Sequence, residues 1–83
     1  MTGSWKKDRI GWWYLWKDGS YPKSEFVLIE GVTYYFNASG YMVTGWQQIG
    51  DVWYYMNSSG AMVTGHQQID GTWYTFSSSG AMQ

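Results

Sequence analysis

A unit of about 20 residues recurs along this chain, and that recurrence restricts the available folds more than any other feature. Thr44-Gly45-Trp46-Gln47-Gln48-Ile49 returns as Thr64-Gly65-His66-Gln67-Gln68-Ile69 after 20 residues. Trp53-Tyr54-Tyr55-Met56 returns as Trp73-Tyr74-Thr75-Phe76 at the same spacing of 20, and Ser39-Gly40-Tyr41-Met42 returns twice, ending at Met62 and Met82. Further back, Trp12-Trp13-Tyr14-Leu15 matches Thr33-Tyr34-Tyr35-Phe36 at a spacing of 21. A unit this short cannot bury an apolar face by itself, so stacked neighbours must cover one another.

Each unit reads as a β-hairpin. Aromatic and β-branched residues favour strands, and Glu30-Gly31, Gly50-Asp51 and Asp70-Gly71 are pairs suited to two-residue hairpin loops. In the first unit Arg9-Ile10 occupy the turn position, which predicts a longer loop. The fold expected is all-β: a β-solenoid of four stacked β-hairpin repeats, in one module over 1–83, with units at about 4–21, 25–42, 45–62 and 65–82. The Asn57-Ser58-Ser59-Gly60 stretch and its equivalents link one hairpin to the next.

Alternation along a strand sorts the side chains. With Gly50-Asp51 as the loop, Trp46, Trp53 and Tyr55 share one face, and Ile49, Val52, Tyr54 and Met56 share the other. The same register sets Phe26, Thr33 and Tyr35 against Ile29, Tyr34 and Phe36, and His66, Trp73 and Thr75 against Ile69, Tyr74 and Phe76. The mixed aliphatic face resembles a core and the ring-rich face a wall. Grooves are expected where the wall of one hairpin meets the wall of the next.

Seven Trp, eight Tyr and three Phe are too many rings for the interior of an 83-residue chain, so some should form a gripping surface. Cysteine is absent, which excludes disulfides and thiolate chemistry, and a single His excludes a multi-histidine metal site. A net charge of −1 does not fit a nucleic-acid partner, and no apolar run is long enough for a membrane span. Met1-Thr2-Gly3 leads straight into the pattern, with no signal-peptide profile ahead of it.

Gly-Trp, then six residues, Trp-Tyr-Tyr, then Gly-x-Met resembles the choline-binding repeat of cell-wall hydrolases and surface proteins of pneumococci and their phages. The stretch Asp18-Gly19-Ser20-Tyr21-Pro22-Lys23, followed by Phe26, Tyr34-Tyr35-Phe36 and Ser39-Gly40-Tyr41-Met42, is similar to the binding modules of autolytic amidases. The resemblance implies an extracellular, cell-wall-associated, non-catalytic module with no cofactor. Its partner would be choline, or phosphocholine on teichoic acid, held in aromatic cages between consecutive hairpins. The chemistry agrees. A quaternary ammonium has no N–H to donate, so it favours methyl contacts and π-faces.

Carried over by the resemblance, the first cage is Trp5, Trp12 and Tyr35 with Tyr21 in the methionine position. The second is Phe26, Thr33 and Tyr55 with Met42, and lacks a ring at Thr33. The third is Trp46, Trp53 and Thr75 with Met62, and lacks a ring at Thr75. The fourth starts with His66, Trp73 and Met82 and needs a further hairpin, which allows self-association through the terminal unit. His66 is either a ring substituting for Trp or simply exposed. The Trp5 cage is expected to bind best.

Two other readings stay open. A carbohydrate-binding module would use the same walls with Gln47, Gln48, Gln67 and Gln68 as hydrogen-bonding groups. An engineered or truncated solenoid scaffold would retain only weakened cages. No catalytic residue is assigned: the six acids fall mostly in turns and linkers, away from any paired base.

Overall fold

The computed structural model describes residues 3–83, so Met1 and Thr2 lie outside the described residues. Eight five-residue strands form four antiparallel hairpins: β1 (Gly3–Lys7) with β2 (Trp12–Trp16), β3 (Glu25–Ile29) with β4 (Val32–Phe36), β5 (Gly45–Ile49) with β6 (Val52–Met56), and β7 (Gly65–Ile69) with β8 (Thr72–Phe76). The all-β expectation holds, and no helix occurs among the described residues.

The registers follow from the turns. Ile49 pairs with Val52, Gln48 with Trp53, Gln47 with Tyr54 and Trp46 with Tyr55, and the second and fourth hairpins repeat this alignment. Glu30 (φ 50°) and Gly31 (φ 83°) are both left-handed, the geometry of a tight turn whose twist matches the strands. The first hairpin closes through a four-residue loop instead. Asp8 N–H donates to the Gly11 carbonyl at 3.1 Å, and Asp8 Oδ1 accepts from the N–H groups of Ile10 and Gly11 at 2.9 and 3.2 Å.

The linkers turn the chain back sharply. Asn37 Oδ1 accepts from the N–H groups of Ser39 and Tyr41, each at 3.0 Å, while Gly40 N–H donates to the Asn37 carbonyl at 2.9 Å. Asn57 does the same for Ser59 and Ala61, and Ser77 Oγ takes that role in the last unit. The short polar side chain satisfies backbone donors in place of a strand partner.

The chain divides into two compact units, 1–43 and 44–83, each of two hairpins. In the first, Phe36 is fully buried and clusters with Tyr14 and Ile29, surrounded by Trp5, Trp16, Val27, Tyr34 and Met42. In the second, Met56, Phe76 and Ile69 are buried. Each such side chain contributes about 1.5–3 kcal/mol on leaving water. Ile29, Phe36, Met56, Ile69 and Phe76 come from the mixed aliphatic face that the alternation marked as core, whereas Tyr14 lies opposite Trp5 on the ring-rich face of the first hairpin.

The packing within each unit corrects one expectation. Wall does not meet wall. The wall residue Trp5 of the first hairpin packs on Tyr34 at 4.9 Å and Phe36 at 5.9 Å, which belong to the opposite face of the second hairpin. Trp46 meets Tyr74 at 4.9 Å and Phe76 at 5.9 Å in the same way. The reason is geometric. Within each unit the linker brings the second hairpin round so that its mixed face, not its wall, covers the wall of the first.

Candidate functional site

The second unit holds an open cleft of about 330 Å³ lined by Trp46, Trp53, Tyr74 and Met82. Cross-strand pairing creates its first half. Trp46 lies opposite Tyr55 and Gln48 opposite Trp53, so Trp46 and Trp53 emerge diagonally on one face. Their rings stand 6.1 Å apart at 83°, and Tyr55 supports Trp46 edge-on at 5.1 Å. The fourth hairpin supplies the other half. Tyr74 approaches Trp46 at 4.9 Å and 70°, and Met82 is fixed by donating its N–H to the Trp53 carbonyl at 2.9 Å.

The first unit repeats the arrangement. Trp5 and Trp12 stand 6.3 Å apart at 88°, with Tyr14 edge-on to Trp5 at 5.2 Å. Tyr34 meets Trp5 at 4.9 Å and 74°, and Met42 N–H donates to the Trp12 carbonyl at 2.8 Å. Each unit therefore brings together two tryptophans, a tyrosine and a methionine, with rings close to perpendicular. One difference stands at the rim. Lys7 lies opposite Trp12 and holds its ammonium 5.4 Å from that ring, whereas Gln48 lies opposite Trp53.

The residues expected from sequence are distributed differently. Tyr34 and Tyr74, the middle rings of their triplets, stand at the clusters where Tyr35 and Thr75 were expected. Tyr35 instead packs against Phe26 at 4.8 Å, and Thr75 Oγ1 lies 3.2 Å from His66 Nδ1. The methionines are displaced by one unit: Met42 joins Trp12 and Met82 joins Trp53. The physical reason is parity. Within each unit unlike faces meet, so Tyr34 and Tyr74 point to the wall of the preceding hairpin and the outer two members of their triplets point away.

Tyr21 and Met62 lie elsewhere. The Tyr21 ring covers Gly40, where an added Cβ would come within 2.7 Å of it, and Met62 covers Gly80. Tyr21 also borders a smaller cavity of about 220 Å³ with Asp8, Trp13, Ser39 and Tyr41. Phe26 and Thr33 belong to the first unit and Tyr55 to the second. His66 is exposed and Trp73 is 66% exposed.

No carboxylate lines the Trp46 cleft, and Asp8 is engaged at its own loop. Tyr41 Oη donates to Asp8 Oδ2 at 2.7 Å, which lowers the Asp8 carboxyl and raises the Tyr41 phenol. No group of three or more potential metal ligands occurs among the described residues. An open aromatic corner with no carboxylate in its lining suits a bulky, weakly hydrated cation.

Known proteins share this pattern. The choline-binding repeat model matches residues 43–83, and the cell wall binding repeat model matches residues 24–42. A lysin of Pneumococcus phage Dp-1 is 46% identical over 41 residues, spanning 47% of this chain and 14% of the lysin. The pneumococcal cell-wall endolysin from phage Cp-1, solved with choline, is 41% identical with a TM-score of 0.89, covering 98% of this chain and 24% of the endolysin. Choline binding protein F of Streptococcus pneumoniae, solved in the presence of a peptidoglycan analogue, is 42% identical with a TM-score of 0.91, covering 100% of this chain and 28% of that protein. These likenesses assign the fold to the β-solenoid class of hairpin repeats. The chain spans a minor part of each relative's length.

Proposed function

The chain belongs to the choline-binding repeat family, and from that premise we propose that it binds the trimethylammonium group of choline in the aromatic cleft of each unit. The observation that carries the reading is the Trp46–Trp53–Tyr74–Met82 cleft and its counterpart around Trp5. Perpendicular rings offer π-faces from different directions to one cation, and the methionine supplies soft contact for its methyl groups. The solved complex of the phage Cp-1 endolysin with choline supports the same ligand class.

Phosphocholine on cell-wall teichoic acid is the proposed natural partner, and the bacterial cell wall the proposed place of action. The role is anchoring without catalysis. Asp8 and Asp18 both direct their carboxylates to loop hydrogen bonds, Asp18 to the N–H and hydroxyl of Ser20. The sugar-binding alternative loses support from two of its glutamines. Gln47 Nε2 donates to the Thr44 carbonyl at 3.0 Å, and Gln67 Nε2 to the Thr64 carbonyl at 2.7 Å.

Thermal unfolding with added ligand tests the reading. A ligand specific for the folded chain stabilises it by RT ln(1 + [L]/Kd), about 2.7 kcal/mol at 100 times Kd. Choline should raise the transition temperature, while its carbon isostere 3,3-dimethylbutanol and glucose oligomers should not. A shift with the oligomers alone would replace choline by a glucan.

A further inference from the structure

The two cages differ at one rim position, and that difference carries a consequence for ligand choice. Lys7 pairs across the hairpin with Trp12, and its ammonium sits 5.4 Å from the Trp12 ring centroid. At the matching position of the second unit Gln48 pairs with Trp53. The ring geometries are otherwise alike: 6.3 Å and 88° against 6.1 Å and 83° for the tryptophan pairs, and 4.9 Å for the tyrosine contact in both. One chain therefore holds a cage with a cation at its rim and a near-copy with a neutral amide there.

We propose that Lys7 makes the first cage selective for phosphocholine esters over free choline, while the second cage lacks this preference. The proposal rests on the choline reading of the cages. A trimethylammonium entering beside Trp12 meets the positive charge of Lys7, which lowers the affinity for free choline. In a phosphocholine ester the phosphate lies two carbons and an ester oxygen from that nitrogen, so it reaches past the rim where the Lys7 ammonium stands. The ammonium then becomes an ion-pair partner for the ligand.

The neighbouring acid does not neutralise Lys7 by pairing with it. Asp8 gives Oδ1 to Ile10 and Gly11 and Oδ2 to Tyr41. Lys6, the adjacent cation, pairs with Trp13 and so alternates to the other face of the strand. Lys7 is thus the cation placed at the cage by the register.

The experiment is a titration of the ¹⁵N-labelled chain, following the indole N–H signals of Trp5 and Trp12 for one cage and of Trp46 and Trp53 for the other. The probes are choline chloride and phosphocholine. At low ionic strength the Trp5 and Trp12 signals should report phosphocholine binding about three- to fivefold tighter than choline, the scale of one exposed charge pair. Salt near 1 M should erase the preference. Lys7→Gln should remove it, and Gln48→Lys should create it at Trp46 and Trp53. Equal affinities at the first cage, or a preference that survives Lys7→Gln, would overturn the proposal while leaving choline binding intact. If neither probe moves any of the four indole signals, the choline reading falls and takes the proposal with it.

Discussion

The ring of Tyr74 stands 4.9 Å from that of Trp46 at 70°, and Tyr34 stands 4.9 Å from Trp5 at 74°. The middle ring of the aromatic triplet therefore closes the cage begun by the preceding hairpin. Thr75, next to Tyr74, sits on the opposite face beside His66. Replacing Tyr74 by Ala should weaken choline binding at the second cage by about tenfold, the loss of roughly one cation–π contact. Replacing Thr75 by Tyr should leave that cage unchanged. Calorimetric titration of both variants decides between the two positions, and a gain from Thr75→Tyr would contradict the placement of Tyr74.

Much of this was legible in the residues. The turn pairs at Glu30-Gly31, Gly50-Asp51 and Asp70-Gly71 set the strand registers, and period-two alternation then assigned Phe36, Met56 and Phe76 to the buried face. The tryptophan pairs were legible for the same reason, since both members lie on one hairpin. The partners from the next hairpin were not. They depend on which face the linker brings round, a long-range property that no local spacing encodes. The N–H of Met42 pairs with the carbonyl of Trp12, 30 residues earlier. The signal available was that Tyr occupies the middle position in the last three triplets, as Tyr34, Tyr54 and Tyr74, whereas the third position varies.

The linker glycines give a stability prediction. Gly40 has φ 89° and lies under the Tyr21 ring, so Gly40→Ala combines left-handed backbone strain with a clash at 2.7 Å. Gly45 has φ 79° but open space where a Cβ would go. Gly45→Ala should cost about 1–2 kcal/mol from the backbone alone. Gly40→Ala should cost about 2–4 kcal/mol, because overpacking against the ring adds to the strain. Urea unfolding of the two variants measures the difference, and equal costs would show that Tyr21 moves aside freely.

The Asp8–Tyr41 hydrogen bond predicts a pH window. It holds the Asp8 carboxyl below its ordinary 3.8, chiefly through the Tyr41 hydroxyl, with the N–H groups of Ile10 and Gly11 adding to the effect. It raises the Tyr41 phenol above its ordinary 10.0, chiefly through Asp8. For Asp8, with a depressed folded pKa, the stabilisation is present above pH 3.8 and is lost as pH falls through the lower folded value. For Tyr41, with a raised folded pKa, it is present below pH 10.0 and is lost as pH rises through the higher folded value. Tyr41→Phe should therefore lower the transition temperature most between these limits and converge with the parent chain at both extremes. Both groups are exposed, so the effect should be small. A variant equally destabilised at pH 2 and pH 7 would assign the role of Tyr41 to packing on the first hairpin instead.

The two cages should also respond differently to loss of their supporting ring. Tyr14 is 7% exposed, belongs to the buried cluster with Ile29 and Phe36, and holds Trp5 edge-on at 5.2 Å. Tyr55 holds Trp46 at 5.1 Å but is only partly buried. Removing a buried aromatic side chain costs about 3–5 kcal/mol, and less where the ring is partly in solvent. Tyr14→Ala should thus destabilise the first unit strongly and abolish its cage through unfolding. Tyr55→Ala should leave the second unit folded, with Trp46 freer to rotate and choline affinity reduced severalfold. Circular dichroism separates the outcomes. Lost near-ultraviolet ellipticity in Tyr14→Ala that saturating choline restores would show that ligand binding can drive the refolding of that hairpin pair. Retained ellipticity in Tyr14→Ala would show that Phe36 and Ile29 hold the unit together without it.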